Sequence, residues 1–237
     1  MIDIHCHILP GMDDGPAELD ATMKMLRIAE DDGVSHIIAT PHYRCQDVPT
    51  MQDIDDCVAL VRDKMEKSGL SIQLLSGADI RLTYELLDCI SRHALPTING
   101  SRYFLLELPD LLPPHFDEFI FEAKIKGYVP IITHPERNYT LFASPRKSEL
   151  LRESGALLQI TAMSITGEFG KQTKKFALQL LNMGCVDFVA SDAHGTSRRV
   201  PVLSRAYREV SKFLNQDEAR KMFIENPAAV VENRELR

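Results

Sequence analysis

Seven short apolar runs, each followed by a stretch with helical spacing, restrict this chain to a parallel α/β architecture. The runs start with the strand entered at Ile2 and continue over 35–40, 70–75, 103–108, 129–133, 156–161 and 186–190. Between them the apolar spacing predicts helices over 17–32, 49–68, 84–91, 116–126, 144–154 and 169–182. Ser144 is expected to cap the helix over 144–154, with Pro145 at its first position. After Val200 three more helices are predicted, around 203–214, 217–224 and 227–231. No G-x-G-x-x-G turn follows the first strand, so the repeat points to a barrel rather than an open doubly wound sheet. The 237 residues, 44% of them hydrophobic, suffice for one barrel, and no linker divides them; a single domain over 1–237 is expected.

In such barrels the active site lies at the C-terminal ends of the strands. Those ends carry His5 and His7, then His42, Asp79, Glu107, His134, and Asp192 with His194; Asp14 joins from the first loop. His5 and His7 stand two apart, so an extended chain projects both from one side. Cys6 between them could bind metal, but its opposite parity favours packing as a small hydrophobe. Asp13 and Asp14 sit in a Gly-bounded turn that can fold a carboxylate back over the histidines. His36, His93 and His115 lie away from the strand ends and read as ordinary surface or core residues.

Nine nitrogen and oxygen ligands exceed the roughly four that a tetrahedral zinc takes. They suit two or three divalent ions bridged by carboxylates, and imidazole mixed with carboxylate fits zinc, manganese or iron. Ions about 3.5–4 Å apart stabilise the attacking and leaving oxygens of a phosphoryl group, so the chemistry expected is metal-assisted hydrolysis. Arginines near the same ends suggest a phosphate. Guanidinium is shaped to hold phosphate oxygens two at a time. Arg137 follows His134 and Arg199 follows His194, and these two are the choices for phosphate binding. Arg198 reads as a solvated charge, while Arg44 and Arg81 stay open between surface and site.

Several classes are excluded. The net charge of −7 and the lack of a Lys/Arg run argue against nucleic acid. No apolar run is long enough to span a membrane and no leader precedes Ile2, so a cytoplasmic protein is expected. The five cysteines are irregularly spaced, which speaks against a disulfide framework. None has Arg six positions on, which rules out the C-x5-R loop of cysteine-based phosphatases.

His5-Cys6-His7, Asp13-Asp14-Gly15, Thr40-Pro41-His42, Glu107, His134-Pro135-Glu136-Arg137 and Ser191-Asp192-Ala193-His194 together resemble the PHP (polymerase and histidinol phosphatase) superfamily. Within it they are most similar to the bacterial protein-tyrosine phosphatases of capsular and exopolysaccharide operons, the CpsB/YwqE type. The likeness runs nearly the whole chain, through Glu225-Asn226-Pro227 and Glu232-Asn233. It implies a distorted seven-stranded (β/α) barrel, the PHP fold, with three metals, often manganese. By motif, one ion would be held by His5, His7, Asp79 and Asp192, a second by Asp79, Glu107 and His134, and a third by Asp14, His42 and His194. A hydroxide bridging the metals would attack phosphorus in line while Arg137 and Arg199 grip the phosphate. His42 or Asp14 could assist the leaving group. The implied substrate is the Tyr-rich tail of a polysaccharide-export tyrosine kinase. The family usually has Glu where this chain has Asp79, one methylene shorter, which bears on the bridge between two ions.

The rival enzyme reading is a PHP phosphatase for a small molecule such as histidinol phosphate, served by the same metals. A PHP exonuclease lacks its basic track here. A non-catalytic scaffold would have lost ligands first, whereas all nine positions keep a chelating side chain.

Overall fold

The computed structural model describes residues 1–45, 49–83, 85–92, 94–113 and 116–236. The chain runs β1 (Ile2–Cys6), α1 (Leu19–Asp31), β2 (His36–Ala39), β3 (His42–Tyr43), α2 (Met51–Lys67), β4 (Gln73–Ser76), β5 (Asp79–Arg81), α3 (Leu86–Ser91) and β6 (Tyr103–Glu107). It continues through α4 (Phe116–Ile125), β7 (Val129–Thr133), α5 (Tyr139–Ala143), α6 (Arg146–Glu153), β8 (Leu157–Thr161), α7 (Ala162–Thr166), α8 (Lys171–Asn182) and β9 (Phe188–Ala190). It closes with α9 (Ser204–Phe213), α10 (Gln216–Arg220), a π-turn over Lys221–Glu225, and α11 (Asn226–Val231).

All strand pairing is parallel, in the orders β1-β2-β4 and β3-β5-β6-β7-β8-β9. Among the described residues the seven expected runs become nine strands because two of them break. The line of β2 stops at Thr40-Pro41 before β3, and that of β4 stops at Gly77-Ala78 before β5. Pro41 has no N–H to give the ladder, but its carbonyl accepts from Asp79 N–H at 3.0 Å and carries the pairing across the break. The first and last strand lines also meet. His7 N–H donates to the Ala193 carbonyl at 2.9 Å, and Asp192 N–H to the His5 carbonyl at 2.8 Å. The outcome is the distorted (β/α) barrel of seven strand lines that the sequence led us to expect.

Period-two alternation divides the core. Ile4, Ile38, Leu105, Ile131 and Phe188 pack together inside the strands. Ile37, Leu74, Phe104, Ile132 and Leu158 pack outward against the helices. Each such buried side chain contributes about 1.5–3 kcal/mol by leaving water. β1 departs from strict alternation. Its pairing with β2 slips between Asp3 and Cys6, where β1 carries one extra residue. Ile2 and Ile4 join the inner cluster, while Cys6 joins the outer one. This bulge changes the phase of the strand as it reaches His5, so the imidazoles follow Ile4 to the inside.

The helices follow their apolar stripes. α2 buries Ile54, Val58, Val61 and Met65 and opens on a capping box between Thr50 and Asp53. α1 buries Thr22, Met25, Leu26 and Ala29, leaving Leu19, Met23 and Ile28 partly covered. Helix α5 is not foreseen by the spacing; the Asn138 side chain caps it, accepting from Leu141 N–H at 3.2 Å. Ser144 opens α6 through its backbone carbonyl, which accepts from Lys147 N–H, rather than through its hydroxyl, and Pro145 stands just ahead of the helix. The expected helix over 84–91 appears as α3; Tyr84, His93 and His115 lie outside the described residues. No described helix is long and apolar enough to cross a membrane.

Candidate metal centre

The strand ends gather three overlapping groups whose ligand atoms lie within 4.8 Å of one another: His5, His7 and Asp192; His42, Asp79 and Glu107; and His7, Asp14, His42 and His194. Eight of the nine residues chosen from sequence thus fall into such groups. The ninth, His134, falls in none among the described residues. Its ring lies 5.9 Å from that of His5, and its Nε2 is 3.3 Å from Thr133 Oγ1. The groups also differ from the motif-implied sets: Asp79 and Glu107 converge with His42 rather than with His134, Asp79 does not join His5, His7 and Asp192, and His7 joins Asp14, His42 and His194.

Each inner imidazole is oriented from behind. Gln159 Oε1 lies 2.8 Å from His5 Nδ1, Asp13 Oδ2 lies 2.6 Å from His7 Nδ1, and the Asp192 carbonyl lies 3.0 Å from His194 Nδ1. Acceptors at Nδ1 fix the proton there and leave Nε2 as a lone pair facing inward. The Nε2 atoms of His5 and His7 are then 3.1 Å apart, two lone pairs face to face. Asp79 Oδ2 is buried beside them with no hydrogen-bond donor, 3.7 Å from His5 Nε2 and 3.5 Å from His42 Nδ1. Lone pairs and a carboxylate oxygen converging in a buried space need a cation between them. The donor set therefore fits divalent metal, and its oxygen and nitrogen character suits zinc, manganese or iron.

Burial pushes the Asp79 and Asp192 carboxyls up, but the surrounding imidazoles, His5 first, together with Arg137 and Arg199 beside Asp192, hold both below the usual carboxylate range. The Asp79 carboxylate pushes His42 up to about 9. Burial drives His134 down to about 3 and His194 down to about 4, keeping both neutral.

Asp192 joins the imidazoles to the arginines. Its Oδ1 lies 3.5 Å from His5 Nε2 and 3.6 Å from His7 Nε2, while Oδ2 accepts from Arg137 Nη2 and, at 2.7 Å, from Arg199 Nη2. Arg137 Nε and Arg199 Nε are buried with no acceptor. Arg81 pairs with Glu107 at 2.8 Å, and both line a cavity of about 650 Å³ with Met12, His42, Tyr43 and Arg44. Backbone strain collects here. Of the five described non-glycine residues with positive φ, three are His134, Asp192 and Arg199.

Sequence reasoning assigned no role to the residues that support the grouped side chains. Asp3 is buried and accepts from Ser191 N–H and Oγ–H, tying β1 to the turn that carries Asp192; burial raises it to about 6. Glu136 is buried and accepts from Thr161 N–H and Ser164 Oγ–H, fixing the turn that presents Arg137. With Gln159 these share one sequence signal, a polar residue within or just beyond an apolar strand run. Gly15 has a steric reason: a Cβ there would meet the His7 carbonyl oxygen at 2.5 Å, so only glycine lets the acidic turn close over the histidines.

The chain is 37% identical over 205 residues to the tyrosine-protein phosphatase YwqE of Bacillus subtilis, covering 84% of this chain and 79% of that protein. It is 31% identical over 238 residues to the putative tyrosine-protein phosphatase CapC of Staphylococcus aureus, covering 100% of this chain and 93% of that protein. It superposes with a TM-score of 0.95 and 32% identity, over 100% of this chain and 96% of the other, on a structure from work on YwqE of Bacillus subtilis and CpsB of Streptococcus pneumoniae, described as unique metal-dependent tyrosine phosphatases. A histidinol phosphate phosphatase from Lactococcus lactis, 12% identical with a TM-score of 0.57 over 94% of each chain, shares the fold. The family model for capsular polysaccharide synthesis proteins CpsB/CapC matches residues 1–232, and the chain belongs to that family.

Proposed function

We propose that this chain is a metal-dependent protein-tyrosine phosphatase that acts in the cytoplasm on the Tyr-rich tail of a polysaccharide-export tyrosine kinase. The observation that carries the reading is one juxtaposition. Buried lone pairs of His5, His7 and Asp79 converge on one side of Asp192, and two arginines with acceptor-free Nε atoms stand on the other. The names of the relatives support the phosphotyrosine substrate.

In this reading His5, His7, Asp14, His42, Asp79, Glu107, His134, Asp192 and His194 hold two or three divalent ions, with manganese proposed and iron or zinc compatible with the donors. Such ions supply positive charge for phosphoryl oxygens and acidify a water nucleophile. Arg137 and Arg199 bind the phosphate oxygens through in-plane N–H groups. Asp192 lowers the cost of bringing the two guanidinium charges together. Phenolate departs without a strong acid, so water at the rim, where His42 and Asp14 are exposed, suffices to supply its proton.

The test is phosphate release after metal removal and manganese add-back, comparing a phosphotyrosyl peptide, a phosphoseryl peptide and histidinol phosphate. Manganese-dependent release from the phosphotyrosyl peptide alone is expected. Preference for histidinol phosphate would move the chain to the small-molecule branch.

A further inference from the structure

We infer that Phe169 is a positioning residue for phosphate recognition, acting through Arg137; the inference rests on the phosphate-binding role proposed for that arginine. The Arg137 guanidinium carbon lies 5.1 Å from the centroid of the Phe169 ring. An aromatic face attracts a guanidinium through its quadrupole and uses none of its N–H donors. A carboxylate in the same place would occupy two donors and cancel the charge. Phe169 therefore sets the plane of Arg137 and leaves the in-plane N–H groups for an anion. Among the described residues only Asp192 claims one of them as a hydrogen bond, at Nη2, and the buried Nε has no acceptor.

The ring is itself held in place. It sits between α7 and α8 in a short loop bounded by Gly167 and Gly170, whose φ values of +92° and +93° suit glycine. Gly167 and Glu168 N–H both donate to the Met163 carbonyl, and Gly170 N–H donates to the Gly167 carbonyl, each at 3.0 Å. The turn that carries Arg137 is tied to the same segment, because Glu136 accepts from Ser164 Oγ–H of α7 at 2.6 Å. The turn of Arg137 and the loop of the half-buried Phe169 are thus both anchored on α7.

The experiment uses the metal-loaded protein with inorganic phosphate as the probe, read by calorimetry and as the competitive inhibition constant against a phosphotyrosyl peptide. Phe169→Leu keeps an apolar side chain and removes the π-face. It is expected to weaken phosphate binding and raise KM about two- to thirtyfold, with metal content unchanged, and Phe169→Trp is expected to restore both. In an Arg137→Ala background Phe169→Leu should cost nothing further. An equal loss in that background, or no loss in the wild-type background, overturns the inference while leaving the phosphatase reading intact. If Arg137→Ala alone leaves phosphate binding unchanged, the phosphate-binding role of Arg137 fails and the inference falls with it.

Discussion

Asp13, not its neighbour Asp14, is the carboxylate that holds His7: its Oδ2 lies 2.6 Å from His7 Nδ1 and also accepts from His42 N–H at 3.0 Å. Its Oδ1 accepts from Gly15 N–H at 2.9 Å. Burial pushes Asp13 up, but the His7 imidazole together with the Gly15 and His42 N–H donors brings it down to about 2, so it is ionised throughout the working range. Two neighbouring aspartates thus divide the work, one orienting imidazoles and the other facing the ligand groups at the rim. Asp13→Ala frees His7 to rotate and exchange tautomers, which should weaken metal binding about 10–100-fold. Asp13→Asn keeps one oxygen for His7 but turns an NH2 toward Gly15, so an intermediate loss is expected. Metal affinity by calorimetry checks both, and full affinity in Asp13→Ala would refute the orienting role.

Metal binding should release protons in a pattern set by His42. With its pKa pushed up to about 9, His42 carries a proton at pH 7 before the ion arrives. His134, at about 3, and His194, at about 4, are already neutral and release none. A raised pKa means that proton and metal compete below it. Apparent affinity should therefore rise with pH up to about 9, by up to about tenfold per unit for this one proton. Calorimetry in buffers of different ionisation enthalpy measures the release directly. A pH-independent affinity between 6 and 9 would remove His42 from the ligand set.

The convergence of these strand ends was legible in sequence because a parallel barrel collects the C-terminal ends of its strands on one rim. His5, His7, Asp79, Glu107 and Asp192 each follow an apolar run, and that position alone marked them. What stayed hidden depends on contacts between distant segments. Gln159 behind His5 and Asp3 beneath Ser191 are polar residues that periodicity can only score as exceptions. The bulge that turns His5 inward is a mismatch of pairing with β2, and one strand does not encode its partner's register. The broken lines at Pro41 and Gly77 likewise gave nine strands among the described residues where the apolar runs suggested seven.

Asp79 tests how a short carboxylate serves two groups. Its Oδ1 accepts from Thr133 Oγ–H at 3.2 Å, and its Oδ2 faces His5 and His42 without a donor. Asp79→Ala should lose both metal content and phosphatase rate, because two imidazole groups lose the anion between them. Asp79→Asn keeps the shape, loses the charge, and should fall between. Elemental analysis and rate are read on the same sample; metal and activity both intact in Asp79→Ala would exclude it as a ligand.

Arg137 and Arg199 share Asp192 Oδ2, so neither is a free surface charge. Arg137→Ala and Arg199→Ala should each lower kcat/KM about 10²–10³-fold, as removal of a donor to transition-state charge does. Metal content should hold, since neither side chain offers a lone pair. Unchanged kinetics would take the residue out of the site, and loss of metal would show that its part is to stabilise Asp192 instead.

The last prediction concerns a cap that joins the two ends of the chain. Asp32, just after α1, accepts from Leu203 N–H at 2.7 Å, Ser204 N–H at 2.8 Å and Ser204 Oγ–H at 2.5 Å. These are backbone donors at the start of α9, which no residue of its own caps through a side chain. The carboxylate also meets the positive end of the helix dipole. Asp32→Ala leaves those N–H groups unpaired and should cost about 1–2 kcal/mol, a fall in melting temperature of roughly 2–8 °C for a chain of this size. Asp32→Asn, with one accepting oxygen, should lose part of that. Because α9 follows the loop that carries Arg199, phosphate affinity should drop before metal content does. A melting temperature within error of wild type in Asp32→Ala would mean that water serves the start of α9 as well as the carboxylate does.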